Sequence, residues 1–162
     1  MNIRAVIFDK DGTLFDFQST WGFWTGKILA RIAGQDDVVL ENLAKALKYD
    51  VATKKVLPDS LVVAGTPVEI SEVIQRFKPD MRVADILSQI NEETETAPQT
   101  LVTDLKLLIK QLRSQGLKLS VMTNDAERPA RMHLEAVDAL DLFDHVIGSD
   151  SGYGSKPDPT PL

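Results

Sequence analysis

Two aspartates stand two positions apart in Asp9-Lys10-Asp11-Gly12-Thr13, directly behind the apolar run Ala5-Val6-Ile7-Phe8. On an extended segment alternate side chains share a face, so Asp9 and Asp11 point the same way. Lys10 points away from them and is assigned no role. Carboxylates paired in this manner suit phosphoryl transfer to water through a covalent intermediate. One attacks phosphorus and must stay ionised, while the other protonates the leaving oxygen and later takes a proton from the attacking water. A neighbouring anion raises the pKa of the less stabilised carboxyl, which suits Asp11 to the acid–base task while Mg²⁺ keeps Asp9 ionised. Gly12 lets the backbone turn sharply and approach a ligand. Standing alone, an Asp-x-Asp-Gly turn is more often a surface or calcium-type loop, so the elements around it decide its meaning.

The run Ala5–Phe8 reads as a parallel strand suited to burial on both faces. Ser19 or Thr20 is expected to cap a helix through about Ala33, stopped by Gly34, and Asp36 or Asp37 opens a second. Thr66-Pro67-Val68-Glu69 is a helix start, with threonine at the N-cap, proline in the first turn and glutamate completing a capping box. That helix should reach about Phe77, and another should run from about Val83 to Glu93. After Pro98 the rhythm changes. Leu101, Leu105, Leu108, Ile109 and Leu112 share one helix face that Gly116 ends. A strand over 117–122, a helix over 127–139 and a strand at His145-Val146-Ile147 follow. Strand and helix in alternation imply an α/β fold, a Rossmann-like parallel sheet whose carboxyl ends carry the chemistry. The expected organisation is a core from residues 1–16 and 98–162, with 17–97 inserted as a small α-helical cap.

The segment Val6-Ile7-Phe8-Asp9-Lys10-Asp11-Gly12-Thr13-Leu14 resembles the first motif of the haloacid dehalogenase superfamily, a hydrophobic strand followed by DxDGT. The likeness implies that Asp9 is the nucleophile that becomes an aspartyl phosphate and that Asp11 is the acid–base. It also implies that Mg²⁺ is held by Asp9 and Asp11, with the Asp11 main-chain carbonyl helping. The second motif of that superfamily, a strand ending in Thr or Ser, is similar to Leu119-Ser120-Val121-Met122-Thr123-Asn124. There Thr123 and Asn124, together with Gly12 of the first motif, would meet the phosphoryl oxygens. The third, a lysine before proline, is similar to Gly154-Ser155-Lys156-Pro157-Asp158-Pro159, where Lys156 would neutralise charge shared by Asp9 and the phosphoryl group. The spacing from Asn124 through Phe143-Asp144, Gly148 and Asp150 to Lys156-Pro157 resembles the phosphoglycolate-phosphatase-like branch. Outside any such context Thr123 would be read as a helix N-cap and Lys156 as a solvated loop lysine. The fourth motif, an acidic pair that supplies a further Mg²⁺ ligand, has no counterpart before Leu162, and Asp150 is the only weak stand-in. The 162 residues are therefore expected to form an incomplete catalytic domain. Its first strand would lie at an open edge, inviting self-association.

The implied activity is hydrolysis of a small phosphate monoester, phosphoglycolate or a similar acid phosphate. The alternatives are a sugar phosphomutase, which would share both aspartates, and a non-catalytic phosphate-binding or regulatory remnant. An insert of about 80 residues suits a small-molecule substrate better than a folded phosphoprotein. Trp21, Phe23 and Trp24 are expected to pack the first cap helix. His133 and His145 read as ordinary surface or strand-end residues, and Arg128 and Arg131 as solvated. A net charge of −6, from 18 basic and 24 acidic side chains, argues against nucleic acid or an anionic membrane surface as partner. The chain contains no cysteine, which removes disulfides, thiolate metal sites and a cysteine nucleophile. No apolar run approaches the ~20 residues of a membrane span, and the N-terminus lacks a signal-peptide pattern. The expectation is a soluble, cytoplasmic protein.

Overall fold

A computed structural model describes residues 3–162. In chain order the elements are β1 (Ala5–Phe8), α1 (Phe23–Ala33), α2 (Asp37–Ala46), β2 (Tyr49–Asp50), β3 (Lys55–Val56), α3 (Leu61–Ala64), α4 (Pro67–Gln75), α5 (Val83–Glu95), α6 (Leu105–Ser114), β4 (Lys118–Met122), α7 (Glu127–Ala136) and β5 (His145–Ile147). Two compact units result, one built from the chain up to Asp16 together with Gln99–Leu162, the other from Phe17–Pro98.

The first unit is the α/β layer structure expected from the alternation. Its sheet has the order β1-β4-β5, all parallel, with Phe8 beside Val121 and Val121 beside Val146. Leu119 and Val121 of β4 are wholly buried, among Leu105 and Ile109 of α6, Ala130 and Leu134 of α7, and Phe143. Asp104 starts α6 by accepting the Leu107 N–H at 3.0 Å, and Gly116 follows its end with φ +80°, a conformation open to glycine at no steric cost. Leu101 lies ahead of that helix in a single bridge to Phe15, rather than on the helix face. α7 stops at Ala136, short of Ala139, because Asp138 turns the backbone to φ +49°. β1 departs from expectation in its burial. Val6 and Phe8 pack against the core, whereas Ala5 and Ile7 face outward, Ile7 being 43% exposed. Among the described residues β1 pairs only with β4.

The second unit is mostly helical, with its own core around Trp24, Ile28, Leu29, Leu43, Ile74 and Ile86. Trp21 joins that core, while Phe23 stands 56% exposed. Neither Ser19 nor Thr20 caps the first helix. A π-helical turn at Gln18–Gly22 runs straight into α1, and the Thr20 hydroxyl donates to the Pro98 carbonyl at 2.8 Å. The short antiparallel pair β2–β3 carries no helical or alternating signature in two-residue strands, so periodicity does not reveal it. Asp36 caps α2, accepting the Val39 N–H at 3.0 Å.

α4 begins with the capping box that its sequence spells. The Thr66 hydroxyl accepts the Glu69 N–H at 3.3 Å, and the Thr66 N–H donates to the Glu69 carboxylate at 2.7 Å. The helix then ends at Gln75, two residues early. Replacing Thr66 by alanine strands one N–H and loosens the reciprocal carboxylate. Thr66→Ala should cost about 1 kcal/mol, read as a fall of about 2–4 °C in the thermal midpoint. An unchanged midpoint would show that the box contributes nothing to the unit.

Candidate active site

Parallel register brings the ends of β1 and β4 to one level. Phe8 pairs with Val121, so the chain leaves β1 at Asp9 and leaves β4 at Thr123 on adjacent strands. After Asp9 the backbone closes a tight turn. Leu14 and Phe15 donate their N–H groups to the Lys10 carbonyl at 2.9 and 3.2 Å, and Gly12 donates to the Phe15 carbonyl at 2.8 Å. Gly12 has φ +81° with open space where a Cβ would lie, so conformation rather than crowding requires glycine there. Its N–H is directed into the turn, which makes Gly12 a shaper of the loop.

Lys156 arrives from 147 positions away to place Nζ 2.6 Å from Asp9 Oδ1, with the Met122 carbonyl at 3.4 Å. The same Asp9 oxygen accepts the Lys10 N–H at 2.8 Å. Asn124 holds this arrangement in register from both ends of its amide. Its Nδ2 donates to the Lys156 carbonyl at 2.9 Å and its Oδ1 accepts the Lys156 N–H at 2.8 Å. Thr123 is buried; its N–H continues the sheet to Ile147, and its hydroxyl accepts the Asp125 N–H at 3.1 Å. A hydroxyl engaged as acceptor keeps its hydrogen for another partner. Asp9, Asp11, Thr123, Asn124 and Lys156 are thus gathered at the carboxyl ends of β1 and β4.

Lys10 overturns the expectation from strand alternation. The turn begins directly after Phe8, so the two-residue period no longer applies, and Lys10 is wholly buried. Its Nζ lies 3.0 Å from Asp11 Oδ1, 3.2 Å from Asp125 Oδ2 and 3.1 Å from His133 Nδ1. The Asp125 contact is a charge pairing, since that oxygen has no well-aligned hydrogen-bond donor. Burial pushes the Asp125 carboxyl up to about 6, against the opposing pull of the Lys10 charge. For Lys10 burial acts downward, but the charges of Asp125 and Asp11 outweigh it and hold the ammonium above its ordinary value. His133, expected at the surface, is 1% exposed, whereas His145 is exposed at the start of β5. Asp125 and His133 were not singled out by motif spacing. The signal was a lysine locked between two carboxylates, whose charge needs partners wherever the turn buries it.

Several other residues have tasks away from this cluster. Asp150, the weak stand-in for a further metal ligand, accepts the Glu127 N–H at 2.7 Å at the start of α7. Asp144 accepts the Leu119 N–H at 2.8 Å and pairs with Arg113. Arg131 donates to Glu127 at 2.8 Å, and with Arg128 it lines a groove along the outside of α7. Gly148 is demanded by a close approach, because a Cβ there would lie 2.2 Å from the Glu127 nitrogen.

Among the described residues no group of three or more acidic or histidine side chains gathers as a metal cluster. Asp9, with its side chain 48% exposed, nevertheless offers a carboxylate, and Asp11 a main-chain carbonyl, as hard oxygen donors. This donor set fits Mg²⁺, which is commonly held by one or two carboxylates plus waters and substrate phosphate. No helix among the described residues is long and apolar enough to cross a membrane.

A family model described as haloacid dehalogenase-like hydrolase matches residues 3–162. A phosphoglycolate phosphatase of Rhodospirillum rubrum is 42% identical over 159 residues, covering 98% of this chain and 64% of its own. The pyrophosphatase PpaX of Anoxybacillus flavithermus is 22% identical over 165 residues, covering 100% of this chain and 67% of its own. The crystal structure of a predicted phosphoglycolate phosphatase from Haemophilus somnus shares the fold, with a TM-score of 0.66 at 18% identity over 98% of this chain and 68% of that one. The chain thus spans about two thirds of the length of these relatives.

Proposed function

Because the chain belongs to the haloacid dehalogenase-like hydrolases, we propose that it is a Mg²⁺-dependent phosphatase for small phosphate monoesters, working through an aspartyl phosphate on Asp9. The observation that carries the reading is Lys156 Nζ at 2.6 Å from Asp9 Oδ1 and 3.4 Å from the Met122 carbonyl at the end of β4. The Lys156 ammonium offsets the negative charge that the attacking carboxylate and the phosphoryl group share. The name phosphoglycolate phosphatase, borne by the relative of 42% identity, makes small acid phosphates the first substrates to try.

The steps follow from the residues. Asp9 attacks phosphorus, the bond to the ester oxygen breaks, and Asp11 gives its proton to that departing oxygen. Asp11, now ionised, takes a proton from water as the water oxygen bonds to phosphorus, and inorganic phosphate leaves as the Asp9 carboxylate is released. Lys156 offsets the negative charge shared between Asp9 and the phosphoryl group, and the Thr123 hydroxyl donates to a phosphoryl oxygen. Asn124 keeps Lys156 in place. Mg²⁺ held by the Asp9 carboxylate and the Asp11 main-chain carbonyl would supply further neutralisation of phosphoryl charge. The helical unit Phe17–Pro98 is, in this reading, what restricts substrates to small esters.

In protein made from the full reading frame that contains these residues, phosphoglycolate and other small acid or sugar phosphates should release phosphate when Mg²⁺ is present. A chelator should abolish the release, and added Mg²⁺ should restore it. Phosphopeptides outperforming every small ester would overturn the substrate class, and full turnover in excess chelator would overturn the metal dependence.

A further inference from the structure

Among the described residues Lys10 is the one wholly buried lysine. An ammonium has three hydrogens and no acceptor, so a buried one needs three acceptors placed around it. Asp11 Oδ1 and His133 Nδ1 stand there at 3.0 and 3.1 Å, and Asp125 Oδ2 lies 3.2 Å away as a charge partner. Since the ammonium can only donate, the His133 ring accepts at Nδ1 and carries its hydrogen on Nε2. The Phe15 ring lies 5.9 Å from Nζ on a further side. Asp125 is anchored in turn, its Oδ1 accepting the Ala126 N–H at 2.8 Å and its own N–H donating to Thr123. A rigid chain of contacts therefore runs from the start of α7 through Asp125 and Lys10 to one oxygen of Asp11.

We infer that Lys10 is a positioning residue for Asp11. Its ammonium, braced by Asp125 and His133, fixes the Asp11 carboxyl by Oδ1 and leaves Oδ2 as the oxygen that exchanges protons with leaving group and water. The inference rests on the phosphatase reading and adds residues to it that meet neither substrate nor metal. Misplacing a catalytic group by about 1 Å costs up to about a hundredfold in rate. The loss should fall on proton transfer and spare substrate binding.

The test uses Lys10→Met, Asp125→Asn and His133→Gln, assayed with p-nitrophenyl phosphate, whose leaving group needs little protonation. Phosphorylation of Asp9 then proceeds without much help from Asp11, whereas dephosphorylation still needs it. Lys10→Met should lower kcat about a hundredfold and Asp125→Asn about tenfold, with KM falling in parallel so that kcat/KM stays within about threefold. Each should also show a burst of p-nitrophenol matching the enzyme concentration and a trapped phosphoenzyme. Should Lys10→Met fail to fold, Asp125→Asn and His133→Gln decide alone. A fall in kcat with a burst in either supports the inference, and wild-type kcat in both overturns it. Turnover lost in Asp9→Asn but intact in folded Lys10→Met overturns the inference while leaving the phosphatase reading standing. A wild-type protein without phosphatase turnover overturns the reading, and the inference with it.

Discussion

Asp9→Asn is expected to remove Mg²⁺-dependent phosphatase turnover, lowering kcat by about a thousandfold or more. An amide oxygen is a poor nucleophile toward phosphorus, so no aspartyl phosphate forms. The fold should survive, because asparagine has nearly the shape of aspartate and Asp9 is half exposed. Its single amide oxygen still accepts the Lys10 N–H that Asp9 Oδ1 accepts at 2.8 Å. Lys156 loses the carboxylate at 2.6 Å but remains tied by Asn124 through its backbone. Asp11→Asn should behave differently. Phosphorylation continues for esters with good leaving groups, while water is no longer activated, so a phosphoenzyme accumulates. Steady-state assays and acid-quench labelling of both variants, with circular dichroism as the fold control, separate the two roles. Phosphatase turnover persisting in a clean Asp9→Asn preparation would falsify the assignment of the nucleophile.

Lys10→Met should be among the most destabilising single changes in the first unit, at about 3–5 kcal/mol. Methionine fills much the same space, so the loss is electrostatic. Removing the ammonium leaves Asp125, buried on all sides, with Asp11 beside it and no compensating cation. Against a total stability of about 5–15 kcal/mol, that is a large share, read as a midpoint lower by on the order of 10 °C. If the cause is the abandoned carboxylate, neutralising it should return part of the loss. Lys10→Met combined with Asp125→Asn should be more stable than the sum of the single effects by about 1 kcal/mol or more. Urea denaturation with constant slope measures this directly. Strict additivity would show that Lys10 acts through packing rather than charge.

The sequence by itself determined what depends on neighbours along the chain. The Asp9–Asp11 spacing, the left-handed turn at Gly12 and the Thr66–Glu69 capping box each span no more than four residues. Local propensity is enough to specify such features. The parallel sheet was legible too, from apolar runs alternating with helical periodicity between residues 101 and 147. Tertiary structure alone decided which side chains meet across long separations. Lys10 finds His133 at a distance of 123 positions, and Asn124 clamps Lys156 across 32. It also decided that Asp150 accepts an N–H at the start of α7, and that Ile7 faces outward on a strand whose sequence suits burial on both sides. The physical reason is that a buried charge carries no mark of burial in the sequence. Lys10 reads as an ordinary polar residue in a turn until folding removes it from water. Its ammonium then requires acceptors, and only the packed arrangement of β1, the Asp125 loop and α7 supplies them.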